Sequence, residues 1–414
     1  MSTRPVRLPP ATGFWAVAAT LTVLLAASAA PSPLFPVYED RWGLGPTAVT
    51  LVFAVYAATL LLTLLTAGSL SDHLGRRPVA LAGVLGVVAA TVLFTRADSV
   101  GWLLAARALQ GVSTGAAIGS LGAALLDLQR PGRQLAQLVN GAAPPVGLTL
   151  GALGSGLLVQ FAPAPTRLVY VVFAALLLLC AAALWFLPST AERVPGALAS
   201  LRPTVAVPAA TRPALLHAAP AFVGSWALGG LYLSLGPSLA AQVLGRGDHL
   251  VGGLVVASVA GVGALVGVLS RHADAARVVA LGSAAFVVGP LLLVVALEQR
   301  STAGFFLGAA LSGVGFGAGF QGALRTVLAT APAAGRAGVL SAVYVLSYLA
   351  FGVPAVVAGL LAPTTGLERA TDGYSALVVV LGVLGLVLAG RAARSARAQR
   401  VRGGEPGLPP LPGA

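Results

Sequence analysis

Apolar segments close to 20 residues long recur twelve times along the chain, at about 13–35, 47–70, 77–95, 101–126, 134–160, 166–187, 214–236, 249–270, 277–297, 302–328, 337–361 and 374–391. A helix of that length crosses roughly 30 Å of hydrocarbon. Within hydrocarbon the backbone must satisfy its own hydrogen bonds, so the predicted fold class is all-α and integral to a membrane. Glycine and proline inside the spans are compatible with this where neighbouring helices re-satisfy the backbone. Composition agrees: only 9% of the 414 residues are charged, against about 25% in a soluble domain.

The charges that remain fix an orientation. All 25 basic residues are arginine. With the N-terminus inside, eighteen fall in cytoplasmic segments: Arg4, Arg7, Arg76, Arg77, Arg130, Arg133, Arg193, Arg202, Arg212, Arg271, Arg277, Arg325, Arg336 and five in the tail from Arg391 to Arg402. Six fall outside (Arg41, Arg96, Arg167, Arg246, Arg300, Arg369) and Arg107 lies within a span. That bias satisfies the positive-inside rule and predicts that both termini are cytoplasmic; the absence of lysine beside 52 glycines suggests a GC-rich bacterial genome, so the expected location is a bacterial inner membrane. The net charge of +13 belongs to short loops beside lipid headgroups, not to a nucleic-acid surface. Arg4, Arg7, the apolar run from Phe14 and Ala26-Ala27-Ser28-Ala29-Ala30 imitate a signal peptide, but the run is long for one, and its removal would leave eleven spans. Cys180 is the single cysteine, so no internal disulfide forms.

The longest polar interruption, Pro188 to Pro213, with five prolines and three arginines, divides the spans six and six. The expected organisation is an N-terminal six-helix bundle at 1–187, a semi-extended linker at 188–213, a second six-helix bundle at 214–392 and a disordered tail at 393–414. The halves repeat: Gly68-x-Leu70-Ser71 returns as Gly267-x-Leu269-Ser270 at the matching loop, with Arg271 in place of Asp72 and Asp274 in place of Gly75. Parallel halves of this kind build transporters with a substrate site between them near mid-membrane.

Between the second and third spans runs Gly68-Ser69-Leu70-Ser71-Asp72-His73-Leu74-Gly75-Arg76-Arg77. Gly75 permits a sharp turn, and Asp72 and Arg76 are spaced to meet on one helical turn. Any polytopic protein has basic hairpin loops, but the residue order here resembles the signature loop of the major facilitator superfamily (glycine-x-leucine-small-aspartate-x-x-glycine-arginine-arginine or lysine). Leu103-x-x-x-Arg107-x-x-Gln110-Gly111-x-x-x-Gly115 resembles the fourth-helix motif of the same family. The resemblance implies twelve transmembrane helices in two pseudo-symmetric bundles. It also implies that Asp72, Gly75, Arg76, Arg77 and Asp127 form a gate in which Asp127 bridges to Arg76 and locks the outward-facing state. The alternative is ordinary interfacial charge.

Arg107 sits six residues into its span, where a charge costs at least about 2.5–3.5 kcal/mol. By the resemblance it faces the central cavity, with Gln110 and Thr114, and serves proton coupling or anion binding. Alternatively, it snorkels to the outer interface. It lies some 30 Å along the helix from Asp127, too far to pair. Glu39 and Asp40 follow Pro31-x-Pro33-x-x-Pro36; they are either solvated loop residues or a proton-accepting site reached from outside. Gly147-x-x-x-Gly151 and the glycines after it allow close helix approach. The stretch resembles an antiporter motif of the family but has Ala152 where that motif has proline, and Ser155 replaces a glycine.

The expected pocket is apolar and aromatic with scattered hydrogen-bonding groups: Asn140, Trp226, Tyr232, Phe316, Phe320, Gln321, Tyr344 and Tyr348. It suits small amphipathic molecules better than sugars or ions. Each of these side chains is alone also a packing residue. The four histidines are scattered, acids are not clustered within spans, and no phosphate-cradling glycine-lysine loop occurs, so neither an intramembrane enzyme, a metal site nor nucleotide hydrolysis is supported. The functional expectation is a secondary transporter, without cofactor, that uses the proton gradient to export drug-like or metabolite molecules. The resemblance implies a monomer as the working unit. Proton-linked uptake of a small organic solute is the alternative, and a non-transporting membrane protein lies further off.

Overall fold

The computed structural model describes residues 7–188, 194–203, 205–245 and 248–403, with the side chains of 392, 393 and 395–403 excepted. Arg4, Arg193 and Arg246 therefore lie outside the described residues. The described chain contains twelve helices long and apolar enough to cross a membrane. They are α1 (Pro10–Ala29), α2 (Pro46–Ala67), α3 (Arg76–Thr95), α4 (Val100–Leu128), α5 (Leu135–Phe161), α6 (Pro165–Trp185), α7 (Arg212–Ser234), α8 (His249–Leu269), α9 (Ala275–Glu298), α10 (Thr302–Thr330), α11 (Arg336–Thr365) and α12 (Leu367–Gly403). Large apolar side chains such as Leu62, Leu179, Leu265 and Val380 point outward. A girdle of that kind would be a liability in water and is the natural surface in lipid.

Helix packing shows the internal symmetry directly. In the first half α1 packs on α4, α5 and α6, α2 on α4, and α3 on α4 and α6. In the second, α7 packs on α10, α11 and α12, α8 on α10, and α9 on α10 and α12. Adding six to each number turns one set into the other. The two bundles meet chiefly where α2 lies along α11 and α5 along α8, a pair of contacts that the same operation exchanges.

Even-numbered spans put both ends of the helical bundle on one face, the terminal face; the α1–α2 loop lies on the far face. At the far end α1 and α7 both break. α1 stops before Pro31, passes through a 3₁₀ turn (Ser32–Leu34) and resumes as a short helix, Phe35–Trp42. The first span thus runs longer than its apolar stretch. α7 stops at Ser234 and resumes at Gly236–Gln242, with Pro237 in its first turn. Proline has no N–H to offer the carbonyl four residues back, which is why both helices end there. The signal-like Ala26–Ala30 is buried at the end of α1, as part of the fold.

Two boundaries differ from the sequence reading. α7 begins at Arg212, and the preceding segment is tied down instead of hanging free. The Val194 amide donates to the His73 carbonyl at 3.0 Å, Ser69 Oγ to the Ser200 carbonyl at 3.0 Å, and Thr211 Oγ1 to the Thr330 carbonyl at 3.1 Å. Residues 393–403, expected in the disordered tail, continue α12 as helix; 404–414 lie outside the described residues.

Candidate functional site

The signature loop folds as a short helix, Leu70–Leu74, closed by Gly75 at φ +95°, a region that side-chain-bearing residues seldom occupy. The turn points Arg76 back along the loop. Its guanidinium pairs with Asp72, donates from Nη1 to Ser71 Oγ at 2.9 Å and reaches Asp127 Oδ2 from Nε at 3.3 Å. Asp72, Arg76 and Asp127 thus come together as expected and tie the α2–α3 loop to the foot of α4, within one bundle. Arg77 does not join them. It lies over the Trp185 ring of α6, 5.2 Å from the centroid. The degraded copy in the second half keeps the mechanical link with other chemistry. Arg325 of α10 donates to the Arg271 carbonyl at 2.8 Å, and Asp274 caps α9 by accepting from the Arg277 amide at 3.0 Å.

Arg107 does not snorkel. It is 1% exposed. Its Nη1 donates to the Ser28 carbonyl at 3.0 Å and to Gln110 Oε1 at 2.8 Å, its Nε to the Val52 carbonyl at 3.4 Å, and its guanidinium lies 4.6 Å from the Tyr56 ring centroid. Gln110 Nε2 in turn donates to the Ala27 carbonyl at 3.0 Å. The reason is legible in α1. Pro31 leaves the Ala27 carbonyl without its helical donor, and the last carbonyls of a helix carry partial negative charge. Ser155 Oγ takes the Ala30 carbonyl at 2.6 Å. Arg107, Gln110 and Ser155 together cap a broken helix inside the membrane, and no carboxylate partners the arginine among the described residues. Thr114, two helical turns along α4, is also buried.

The expected pocket residues separate into three groups. Trp226, Phe320 and Tyr348 form an aromatic box with Phe351: Trp226 lies 4.7 Å from Tyr348, 5.4 Å from Phe351 and 5.8 Å from Phe320 between centroids. Phe351 continues across the bundle interface to Phe53 of α2 at 4.6 Å. Asn140, Phe316, Gln321 and Tyr344 are half-buried, with Asn140 Nδ2 holding the Gly122 carbonyl at 3.1 Å. Tyr232 lies apart from the other seven. It is fully buried inside the second bundle, hydroxyl to Ser312 Oγ at 3.3 Å and ring against Phe305, because it precedes the break in α7 on the face turned toward α10.

Glu39 and Asp40, read as one pair, part company. Asp40 is exposed, whereas Glu39 is 9% exposed and sits between the bundles. It accepts from Ser238 Oγ at 3.0 Å and Gln242 Nε2 at 3.3 Å, both on the segment beyond the break in α7. Two further bonds join the halves nearby: Thr47 Oγ1 to the Gly359 carbonyl at 2.6 Å and the His249 amide to Gln160 Oε1 at 2.9 Å. Among the described residues, every hydrogen bond from one bundle directly to the other lies at this far end. Ser238, Gln242, Tyr56 and Phe351 were not singled out from sequence. The available signal was Gly236-Pro237, a proline break at the place in the second half matching Pro31-x-Pro33 in the first.

Comparison with known proteins converges on one family. The Major Facilitator Superfamily profile matches residues 17–354. Multidrug resistance protein MdtL of Shewanella sp. (strain ANA-3) is 30% identical over 130 residues, 30% of this chain and 32% of that protein. The MdtL of Salmonella schwarzengrund (strain CVM19633) is 40% identical over 65 residues, 16% of each chain. The chain thus aligns with about a third or less of the length of these curated relatives. Among solved structures, the human organic anion transporter MFSD10 (TETRAN) is similar at TM-score 0.64 and 21% identity, covering 92% of this chain and 100% of that one. A bacterial homologue of the human lysosomal transporter Spinster is similar at TM-score 0.71 and 14% identity, covering 92% and 97%. With its twelve spans among the described residues, exchanged half-by-half packing and a profile match over residues 17–354, the chain belongs to the Major Facilitator Superfamily and is a multi-pass membrane transporter, not an enzyme.

Proposed function

We propose that this transporter exports small amphipathic organic molecules from the cytoplasm of a bacterium in exchange for protons, by rocking of the two bundles about a site between them. The observation that carries the reading is the aromatic box of Trp226, Phe320, Tyr348 and Phe351, set beside the α2–α11 seam. Aromatic walls with scattered hydroxyl and amide groups accept flat apolar bodies and fix them by a few polar contacts. The arginine bias puts the terminal face in the cytoplasm, and the halves are bonded at the opposite, outer end. The partial likeness to MdtL multidrug resistance proteins supports export.

The test is efflux of a panel of lipophilic cationic and neutral dyes from cells making the protein, with and without an uncoupler, beside Trp226→Ala and Arg107→Ala variants. Uncoupler-sensitive efflux is expected, weakened about three- to tenfold in Trp226→Ala through loss of ring contacts and abolished in Arg107→Ala. Equal dye retention in every strain overturns the multidrug reading, and uncoupler-sensitive accumulation would reverse its direction.

A further inference from the structure

Glu39 is a buried acid held between the two bundles. Its carboxylate leaves the first bundle on the short helix beyond the α1 break and ends on the matching short helix of the second. Both of its donors are neutral, and no arginine or histidine lies within ion-pair distance among the described residues. The charged and titratable groups around it are few. On its own helix Tyr38 is turned away to Tyr170, Arg41 to Thr166, and Asp40 is exposed. From α8, Asp248 and His249 border a narrow cleft of about 40 Å³ shared with Asp40, and the segment beyond α7 offers only Ser238 and Gln242. Alternating access requires this end to part, and every hydrogen bond found there would then break.

We infer that Glu39 is a proton-operated latch on the far gate, closing it as the neutral acid and releasing it as the carboxylate. Moving an unpaired carboxylate out of water costs far more than moving a carboxylic acid, and two neutral donors compensate a charge only in part. With the far side open, the hydrated carboxylate takes one proton from far-side water, forming an O–H bond. Closure then buries the neutral group, which accepts from Gln242 Nε2 and shares its proton with Ser238 Oγ. Return of that proton to far-side water breaks the O–H bond, restores the carboxylate and favours parting. Far-side acidity accordingly favours closure, and alkalinity favours opening. The latch requires alternating access but neither a known substrate nor proton exchange, so it stands or falls separately from the export reading.

The test uses purified full-length protein in detergent, with Cys180→Ser and a reporter Thr50→Cys. Thr50 is fully buried at the far end of the α2–α11 seam against Gly359. Its maleimide labelling rate is divided by that of Ser99→Cys, an exposed position, to cancel the thiol's own pH dependence. The ratio is expected to rise several-fold from about pH 5 to about pH 8, with about tenfold per unit as the ceiling for one proton. Glu39→Gln should label slowly and without pH dependence, since a neutral amide keeps the latch shut. Ser238→Ala/Gln242→Ala should label faster, each variant being checked for a monodisperse elution profile. A pH dependence unchanged in Glu39→Gln, or labelling of that variant faster than the parent at every pH, overturns the inference.

Discussion

A single arginine shows how a charge is made tolerable in hydrocarbon without a counter-ion. Arg107 and Gln110 meet the last carbonyls of α1, those of Ser28 and Ala27, the latter stripped of its helical donor by Pro31, so the cost of the break in α1 and the cost of the buried cation offset one another. Removing the side chain takes the side-chain donor from the Ser28 carbonyl at the end of α1 and from Gln110 Oε1, at about 1–3 kcal/mol each. Arg107→Ala is therefore expected to lower the thermal unfolding temperature in detergent markedly, besides abolishing transport. Arg107→Lys should recover only part of either, since an ammonium cannot serve Ser28, Gln110 and Val52 in one plane. Thermal scanning of the purified variants checks this. A wild-type unfolding temperature in Arg107→Ala would mean that the arginine is there for ligand or proton alone.

At the scale of elements, the glycines of α5 are placed by contact, not by flexibility. A Cβ on Gly151 would sit 2.1 Å from the Ala26 carbonyl oxygen, and one on Gly147 would sit 2.5 Å from that of Thr22. The backbones of α5 and α1 therefore touch at the break that Arg107 caps. Gly154, on another face, has nothing within 4 Å. Gly151→Ala is expected to reduce the yield of monodisperse protein sharply. Gly154→Ala should be neutral or gain up to about 1 kcal/mol from helix propensity. Gel-filtration yield separates the two, and equal yields would remove the close approach of α1 and α5 from the account. The linker is also an element with duties. Through Val194 and Ser200 it holds the signature loop, and through Thr211 it holds α10.

Considered whole, the molecule is two similar bodies whose direct hydrogen bonds to one another, among the described residues, lie at one end. A transporter that rocks must break the far-end bonds in every cycle, so fixing them covalently should stop it. Gln160→Cys with His249→Cys, in a Cys180→Ser background, joins α5 to α8 where the His249 amide now meets Gln160. Oxidation is expected to abolish transport and reductant to restore it, whereas the reduced pair should retain most activity. Undiminished transport by fully cross-linked protein, scored by mass shift after proteolysis between the two positions, would exclude rocking about this seam.

Much of this was legible from the residues in order. Twelve apolar spans, the arginine bias and the loop from Gly68 to Arg77 determined the fold class, the six-and-six layout and the Asp72–Arg76–Asp127 cluster, because hydrophobic length and local spacing act within a few helical turns. Tyr56, Ser238 and Gln242 carry no such signal. They lie in otherwise apolar surroundings, and their significance comes from partners distant in the chain. Glu39 and Asp40 are neighbours in sequence, yet only Glu39 is buried between the bundles, because successive residues of a helix point about 100° apart and only packing decides which direction is inward. Tyr232 turns toward Ser312 inside the second bundle for the same reason. Sequence determined which segments enter the membrane; the tertiary structure alone decided which side chains face the seam between the halves, since that depends on how each helix is rotated against its neighbours.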